Sequence, residues 1–243
     1  LYTILQENSF GALKVVFSYD EKSGSELLKI EGESFRHLFL ARRSKADKTF
    51  LFRNLKDGFL YEYEVQNVSK KDATLRLISS KKDESGQVSA NEIAWCVVDP
   101  KTIEKTLPML NEIGVSKLYF VYSDRSQKNF KLDIDRINRI LINSCCQCGR
   151  SDLMDIYVYK SLKEFCADKK EFFVFDFGGE PVSKVSDGIF LVGPEGGFSE
   201  DEKKLLSKNA KKILSFKTKN ILRSETAVVS AASLALVPHF KTI

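Results

Sequence analysis

Residues 188–199, Gly-Ile-Phe-Leu-Val-Gly-Pro-Glu-Gly-Gly-Phe-Ser, constrain the fold more than any other stretch of the chain. The apolar run before Gly193 predicts a buried strand. Gly193, Pro194, Gly196 and Gly197 then break the pattern at once, and glycine lets a ligand approach the main chain closely. Ser199 and Glu202 have the capping-box spacing, so a helix is expected to begin there. Strand, glycine turn and helix N-terminus form a ligand-binding corner of an α/β sheet. A second segment, Ile221-Leu222-Arg223-Ser224-Glu225-Thr226-Ala227, opens another predicted helix. Neither segment is a Walker A loop or a dinucleotide fingerprint, because the Gly-Lys-Ser/Thr ending and the G-x-G-x-x-G spacing are absent.

Size and composition fit one large or two modest globular domains. The chain has 243 residues, 43% hydrophobic and 29% charged. No apolar run is long enough to predict a membrane span. The first residues lack a basic region followed by an apolar core, so no signal peptide is expected. With Leu at position 1, a few leading residues are expected to be missing. The net charge of +5 is compatible with a polyanionic partner and equally with a solvated lysine-rich surface. Five cysteines, an odd number without an export signal, predict reduced thiols in a cytoplasmic protein. Cys145, Cys146 and Cys148 are accompanied by no second CxxC or HxxxH pair, and His37 and His239 are the only histidines. A closed four-ligand zinc site is therefore not expected.

Two halves are predicted. Residues 1–80 contain short strands at 27–30, 49–52, 59–65 and 73–78, with a basic helical segment at 34–44, a pattern suggesting a small barrel. The polar run 81–87 reads as a linker. Residues 88–243 alternate strands (93–98, 117–122, 172–175, 189–192, 212–216) with helices (101–113, one capped by Asp133, one from Glu200, one from Ser224). Ile134, Ile137, Leu141 and Cys145 are expected to face inward on the helix that Asp133 caps. This alternation predicts an α/β fold, a mostly parallel sheet with helices on both faces. The last helix is rich in small residues (Ala227, Ser230, Ala231, Ala232, Ser233, Ala235), suited to tight core packing or to a subunit interface. The two glycine- and hydroxyl-bearing corners are expected at the carboxyl ends of adjacent strands. On that reading Ser224 is either a helix cap or part of a site, and Arg223 with Glu225 either a surface pair or catalytic.

The paired segments 193–199 and 221–227 resemble the signature of the 16S ribosomal RNA (uracil-N3) methyltransferases of the SPOUT class, the ribosomal RNA small subunit methyltransferase E family. Shorter segments agree: Asn111-Glu112-Ile113-Gly114-Val115, Ser123-Asp124-Arg125, Gln147-Cys148-Gly149-Arg150, and His37-Leu38 with Arg43. The resemblance implies a PUA-like N-terminal β-barrel that contacts RNA and a C-terminal α/β domain tied in a trefoil knot. It also implies a homodimer, S-adenosylmethionine as cofactor, and a uridine of 16S ribosomal RNA in the small subunit as target. Four positions depart from the family pattern: Met109 replaces a lysine, Cys146 a glutamate, Lys217-Thr218 a Leu-Gly pair, and no arginine precedes Arg36. Two other readings stand beside it, a non-catalytic ribosome-associated RNA-binding protein and a SPOUT enzyme with another RNA target.

On this resemblance the cofactor pocket is expected to involve Phe177, Gly178, Gly193, Pro194, Glu195, Gly196, Gly197, Leu222, Arg223, Ser224, Thr226 and Ala227. Uracil N3 must lose a proton before it attacks a methyl group, and negative charge then spreads over O2, N3 and O4. Arg223 is the candidate to stabilise that charge; Glu225 or Glu195 is the candidate proton acceptor. Arg36, His37, Arg42, Arg43, Arg125, Lys128 and Arg150 are candidate RNA contacts. No metal is required.

Overall fold

The computed structural model describes residues 17–41, 49–83, 91–126, 130–182 and 188–236. Arg42, Arg43, Lys128 and His239 lie outside the described residues. Contacts divide the chain into two units, Leu1–Gly86 with Ile142–Leu153, and Gln87–Leu141 with Met154–Ile243. The segment Ile142–Leu153, read from sequence as part of the second domain, packs with the first. Its Cys145 is buried with Phe17 and Leu55, and Ile142, Cys146 and Leu153 pack around them.

The first unit holds β1 (Ser18–Tyr19), β2 (Leu27–Glu31), α1 (Gly32–Phe35), β3 (Thr49–Arg53), β4 (Phe59–Val68) and β5 (Asp72–Lys82). These strands form one sheet in the order β1-β3-β4-β5-β2, antiparallel except for the β1–β3 pair. The basic segment expected to be one α-helix is α1 followed by a π-helical stretch, Arg36–Ala41. Phe35, Leu38 and Phe39 from it are buried with Leu28, Ile30, Phe52, Tyr63 and Leu75.

The second unit is the α/β part. Its elements are β6 (Asn91–Cys96), α2 (Pro100–Ile113), β7 (Val115–Val121), α3 (Ile134–Cys148, whose last turns join the first unit), β8 (Asp155–Tyr159), α4 (Leu162–Asp168), β9 (Phe172–Pro181), β10 (Ile189–Val192), α5 (Glu200–Asn209), β11 (Lys212–Ser215) and α6 (Ser224–Ser233). All six strands are parallel, in the order β11-β9-β10-β6-β7-β8. The central strands β6 and β10 are buried on both faces, which is why their sequences are nearly continuous apolar runs. Ala94 and Cys96 of β6 pack with Leu162, Phe165 and Leu206 from α4 and α5. Trp95, on the opposite face by strand alternation, reaches α6. Helices therefore cover both faces, as the sequence pattern implies.

Local chemistry sets the helix ends. Asp99 accepts from Thr102 N at 3.1 Å, Pro100 takes the first turn, and Gly114 closes α2 in the left-handed conformation. Asp133 accepts from Arg136 N at 2.9 Å. Ile137, Leu141 and Cys145 of α3 are buried as expected, whereas Ile134, at the frayed first turn, is 37% exposed. Ser199 and Glu202 form the reciprocal capping box that their spacing predicts.

Candidate functional site

A bulge within β9 and the loops that follow β10 and β11 meet at one cleft of about 250 Å³. The two glycine- and hydroxyl-bearing corners follow β10 and β11, and these strands are not adjacent, contrary to expectation: β9 lies between them. The strand order cannot be read from local pattern, because β10 inserts between β9 and β6. The consequence for the site is direct. The end of β9 is placed between the two corners and supplies the third wall.

That wall is a bulge. On β11, Ile213 pairs with Val174, but the next residue, Leu214, pairs with Glu180. Residues 175–179 of β9 are thus left without partners on β11, and Phe175, Asp176, Phe177 and Gly178 line the cleft. Phe175 stacks on Phe216, the first residue after β11, with ring centroids 4.4 Å apart and planes within 12°. Ser215 Oγ donates to Gly179 O at 2.8 Å. The bulge and the loop after β11 are therefore tied together.

The corner after β10 is held from two sides. Gly197 takes φ +66° and donates its N–H to Pro194 O at 2.9 Å, closing the turn. Phe198 is buried beneath it. From the β7 side, Asp124 N donates to Glu202 Oε1 at 2.8 Å, Ser199 Oγ donates to Asp124 Oδ2 at 2.5 Å, and Arg125 donates to Gly196 O. From the α6 side, Trp95 Nε1 donates to Ser224 Oγ at 2.8 Å, and Ser224 Oγ donates to Gly193 O at 2.7 Å. Trp95 is fully buried and Ser224 is 4% exposed. Ser224 is thus neither the helix cap nor a free hydroxyl: Arg223 occupies the N-cap position, and Ser224 joins the two corners. Trp95, the chain's only tryptophan, was not among the expected site residues.

Of the expected cofactor residues, Phe177, Gly178, Gly193, Pro194, Glu195, Gly197, Leu222, Ser224 and Ala227 line the cleft. Gly196, Arg223 and Thr226 do not. Gly196 is taken up by Arg125, whose side-chain Cδ would lie 3.2 Å from a Cβ there. Arg223 points outward with its side chain 81% exposed, and its nearest carboxylate is Glu225 Oε1 at 3.9 Å, too long and too exposed for a stabilising pair. Glu225 Oε2 is buried without a hydrogen-bond partner. Asp176, Ser215, Phe216, Thr218, Asn220 and Ile221 line the cleft without having been singled out. Their flanking of the two motifs was the available signal.

The expected RNA contacts divide. Arg36 and His37 are exposed on the first unit. Arg125 is bound to Gly196 O, while the Arg150 side chain is only 9% exposed and pairs with Asp152 at 2.8 Å. No cysteine lines the cleft. Burial pushes the Cys96 thiol well above the usual range and Cys166 up to about 11, so these thiols stay protonated at neutral pH. Among the described residues, no cluster of His, Cys, Asp and Glu is arranged to hold a metal, and no helix is long and apolar enough to cross a membrane.

Comparison with known proteins defines the class. A family profile described as an RNA methyltransferase domain matches residues 87–236. The ribosomal RNA small subunit methyltransferase E of Helicobacter pylori (strain ATCC 700392 / 26695) is 44% identical over 192 residues, covering 77% of this chain and 85% of that protein. The protein of the same name from Aquifex aeolicus is 27% identical over 230 residues, covering 91% and 98%. A ribosomal RNA small subunit methyltransferase E of Neisseria gonorrhoeae, solved bound to S-adenosyl methionine, shares the fold with a TM-score of 0.74 at 20% identity, covering 89% of this chain and 94% of that one. The chain belongs to the ribosomal RNA small subunit methyltransferase E family.

Proposed function

We propose that the protein methylates N3 of a uridine in 16S ribosomal RNA of the small ribosomal subunit, using S-adenosylmethionine bound in the cleft. The observation that carries this reading is the convergence of the β9 bulge and the loops after β10 and β11 on one cleft, with Gly193 and Leu222 both in its wall. The lining suits the cofactor: Phe175, Phe177, Val192, Phe216, Ile221 and Leu222 offer apolar surface, and Asp176 and Glu195 offer negative charge. Bound there, S-adenosylmethionine supplies an electrophilic methyl group on a sulfonium.

The chain's own residues would do the rest. Arg223, unpaired and exposed beside the cleft-lining Leu222, is free to meet a uracil oxygen or its phosphate and to stabilise the charge that develops when N3 is deprotonated. Glu225, with one carboxylate oxygen unpartnered, and Glu195, exposed in the cleft wall, are the two candidates to accept the N3 proton. Arg36 and His37 would contact RNA from the first unit, read as the PUA-like barrel, while Arg125 and Arg150 serve mainly to hold loops. The trefoil knot is supported by the insertion of β10 between β9 and β6 and by the closure of the β11 loop against the β10 corner through Ser224. A homodimer is implied by the family resemblance, with exposed Met109 and Leu236 as candidate contacts; Ala231 and Ala232 of α6 are buried within the chain. The cytoplasm, where ribosomal subunits are assembled, is the expected location.

Two measurements test this reading. Titration calorimetry should detect S-adenosylmethionine binding; none at millimolar concentration would favour a non-catalytic RNA-binding protein. Arg223→Ala should retain the melting temperature and cofactor affinity but lower methyl transfer at least about tenfold. Wild-type turnover in that variant would remove Arg223 from the chemistry.

A further inference from the structure

The cleft has an electrostatic feature that the protein as a whole does not. The chain carries a net charge of +5, yet among the described residues no lysine, arginine or histidine lines the cleft, whereas Asp176 and Glu195 do. The acids around β9 and β11 differ sharply in how they are used. Glu171 pairs with Lys211 at 2.9 Å and Glu180 with Lys212 at 2.8 Å. Asp176 lies between them in sequence, half-buried in the unpaired bulge, and makes no hydrogen bond or ion pair among the described residues. Lys203 feels its charge but bonds to Glu200 at 2.9 Å instead. An unpartnered carboxylate in a cleft wall is open to pairing with a cation that enters the cleft.

Resting on the cofactor reading above, we propose that Asp176 reads the charge on the cofactor's sulfur, favouring the sulfonium of S-adenosylmethionine over the neutral thioether of S-adenosylhomocysteine. The two molecules differ only in one methyl group and one positive charge. Methyl transfer abolishes that charge, so an anion beside the sulfur loosens its hold at the moment the product forms. Binding energy is thereby directed at the loaded form and withdrawn from the spent one. Phe175, which is buried, and Phe177, which is exposed, flank Asp176 in sequence and add apolar surface to the same wall. Glu195 is exposed and fully hydrated by comparison, so it contributes less.

The test is calorimetry of both ligands with four proteins: wild type, Asp176→Asn, Asp176→Glu and Glu195→Gln. The expected result is that Asp176→Asn weakens S-adenosylmethionine at least about fivefold and S-adenosylhomocysteine less than twofold, that Asp176→Glu restores most of the difference, and that Glu195→Gln changes it little. Asp176→Ser repeats the measurement if the asparagine variant does not fold, as judged by its melting curve. Equal weakening of both ligands would overturn the proposal, because it would mean that Asp176 holds a group common to both, such as a ribose hydroxyl. Loss of the difference in Glu195→Gln alone would also overturn it. If the wild-type protein binds neither ligand, the cofactor reading itself fails, a result distinct from any seen only in the variants.

Discussion

Gly179→Ala is expected to collapse the cleft, lowering stability by on the order of 2–4 kcal/mol and S-adenosylmethionine affinity at least about tenfold. A Cβ at this position would lie 2.6 Å from Leu214 C, 2.7 Å from Leu214 O and 2.8 Å from Ile213 C. All three are backbone atoms, so no rotamer change relieves the clash. The only response is for β11 to move away from β9. That strand has four residues and sits at the sheet edge, so little else holds it. Its departure would break the Phe175–Phe216 stack and withdraw Thr218, Asn220, Ile221 and Leu222 from the cleft. Gly178→Ala provides the contrast. Nothing lies within 4 Å of its Cβ position, and only its φ of +77° opposes the change; the expected cost is about 1 kcal/mol. Thermal melts and calorimetry on the two variants check this, and similar behaviour of both would refute the role given to the β9–β11 contact.

Ser224→Ala is expected to have the second largest effect. It removes one hydroxyl and strands two groups, the Trp95 indole N–H and the Gly193 carbonyl. Trp95 has no solvent exposure with which to recover the bond. The buried indole N–H costs about 1–3 kcal/mol when unsatisfied and the carbonyl of half-buried Gly193 costs less, so a loss of roughly 2–4 kcal/mol follows. Cofactor affinity should fall as well, because the corner at Gly193 loses its tie to α6. Trp95→Phe removes the donor and also part of the buried ring, and the cavity cost of the smaller ring cancels in a double-mutant cycle. A double-mutant cycle measured by urea unfolding should give a double variant less destabilised than the sum of the singles. Additive values would mean that the three groups do not act as one chain.

What the sequence made legible was what is local. The glycine turn after β10, the capping box at Ser199 and Glu202, and the stop at Gly114 depend on residues within a few positions of one another. The central strands were plain because burial on both faces leaves a continuous apolar run. The strand β8 and helix α4 were missed although signals were present. Edge strand β8 is mostly exposed, so its apolar residues do not mark a core, and α4 has only seven residues after its Ser161 cap. The site was legible at its two corners and hidden between them. Asp176 enters the cleft only because β9 separates β10 from β11 and bulges there. Trp95 and Ser224 lie 129 residues apart, and no spacing rule links them. Arg150, expected on RNA from its motif, is buried against Asp152 because the last turns of α3 pack on the first unit.

Nucleoside mass spectrometry tests the central claim most directly. Small ribosomal subunits from a strain lacking this protein are incubated with the purified protein and S-adenosylmethionine, and their 16S ribosomal RNA is digested. The account predicts 3-methyluridine, absent beforehand, formed in proportion to the protein and missing when the cofactor is omitted. Subunits that already contain the full amount before incubation, or that acquire a methyl group on ribose or on another base instead, would contradict it.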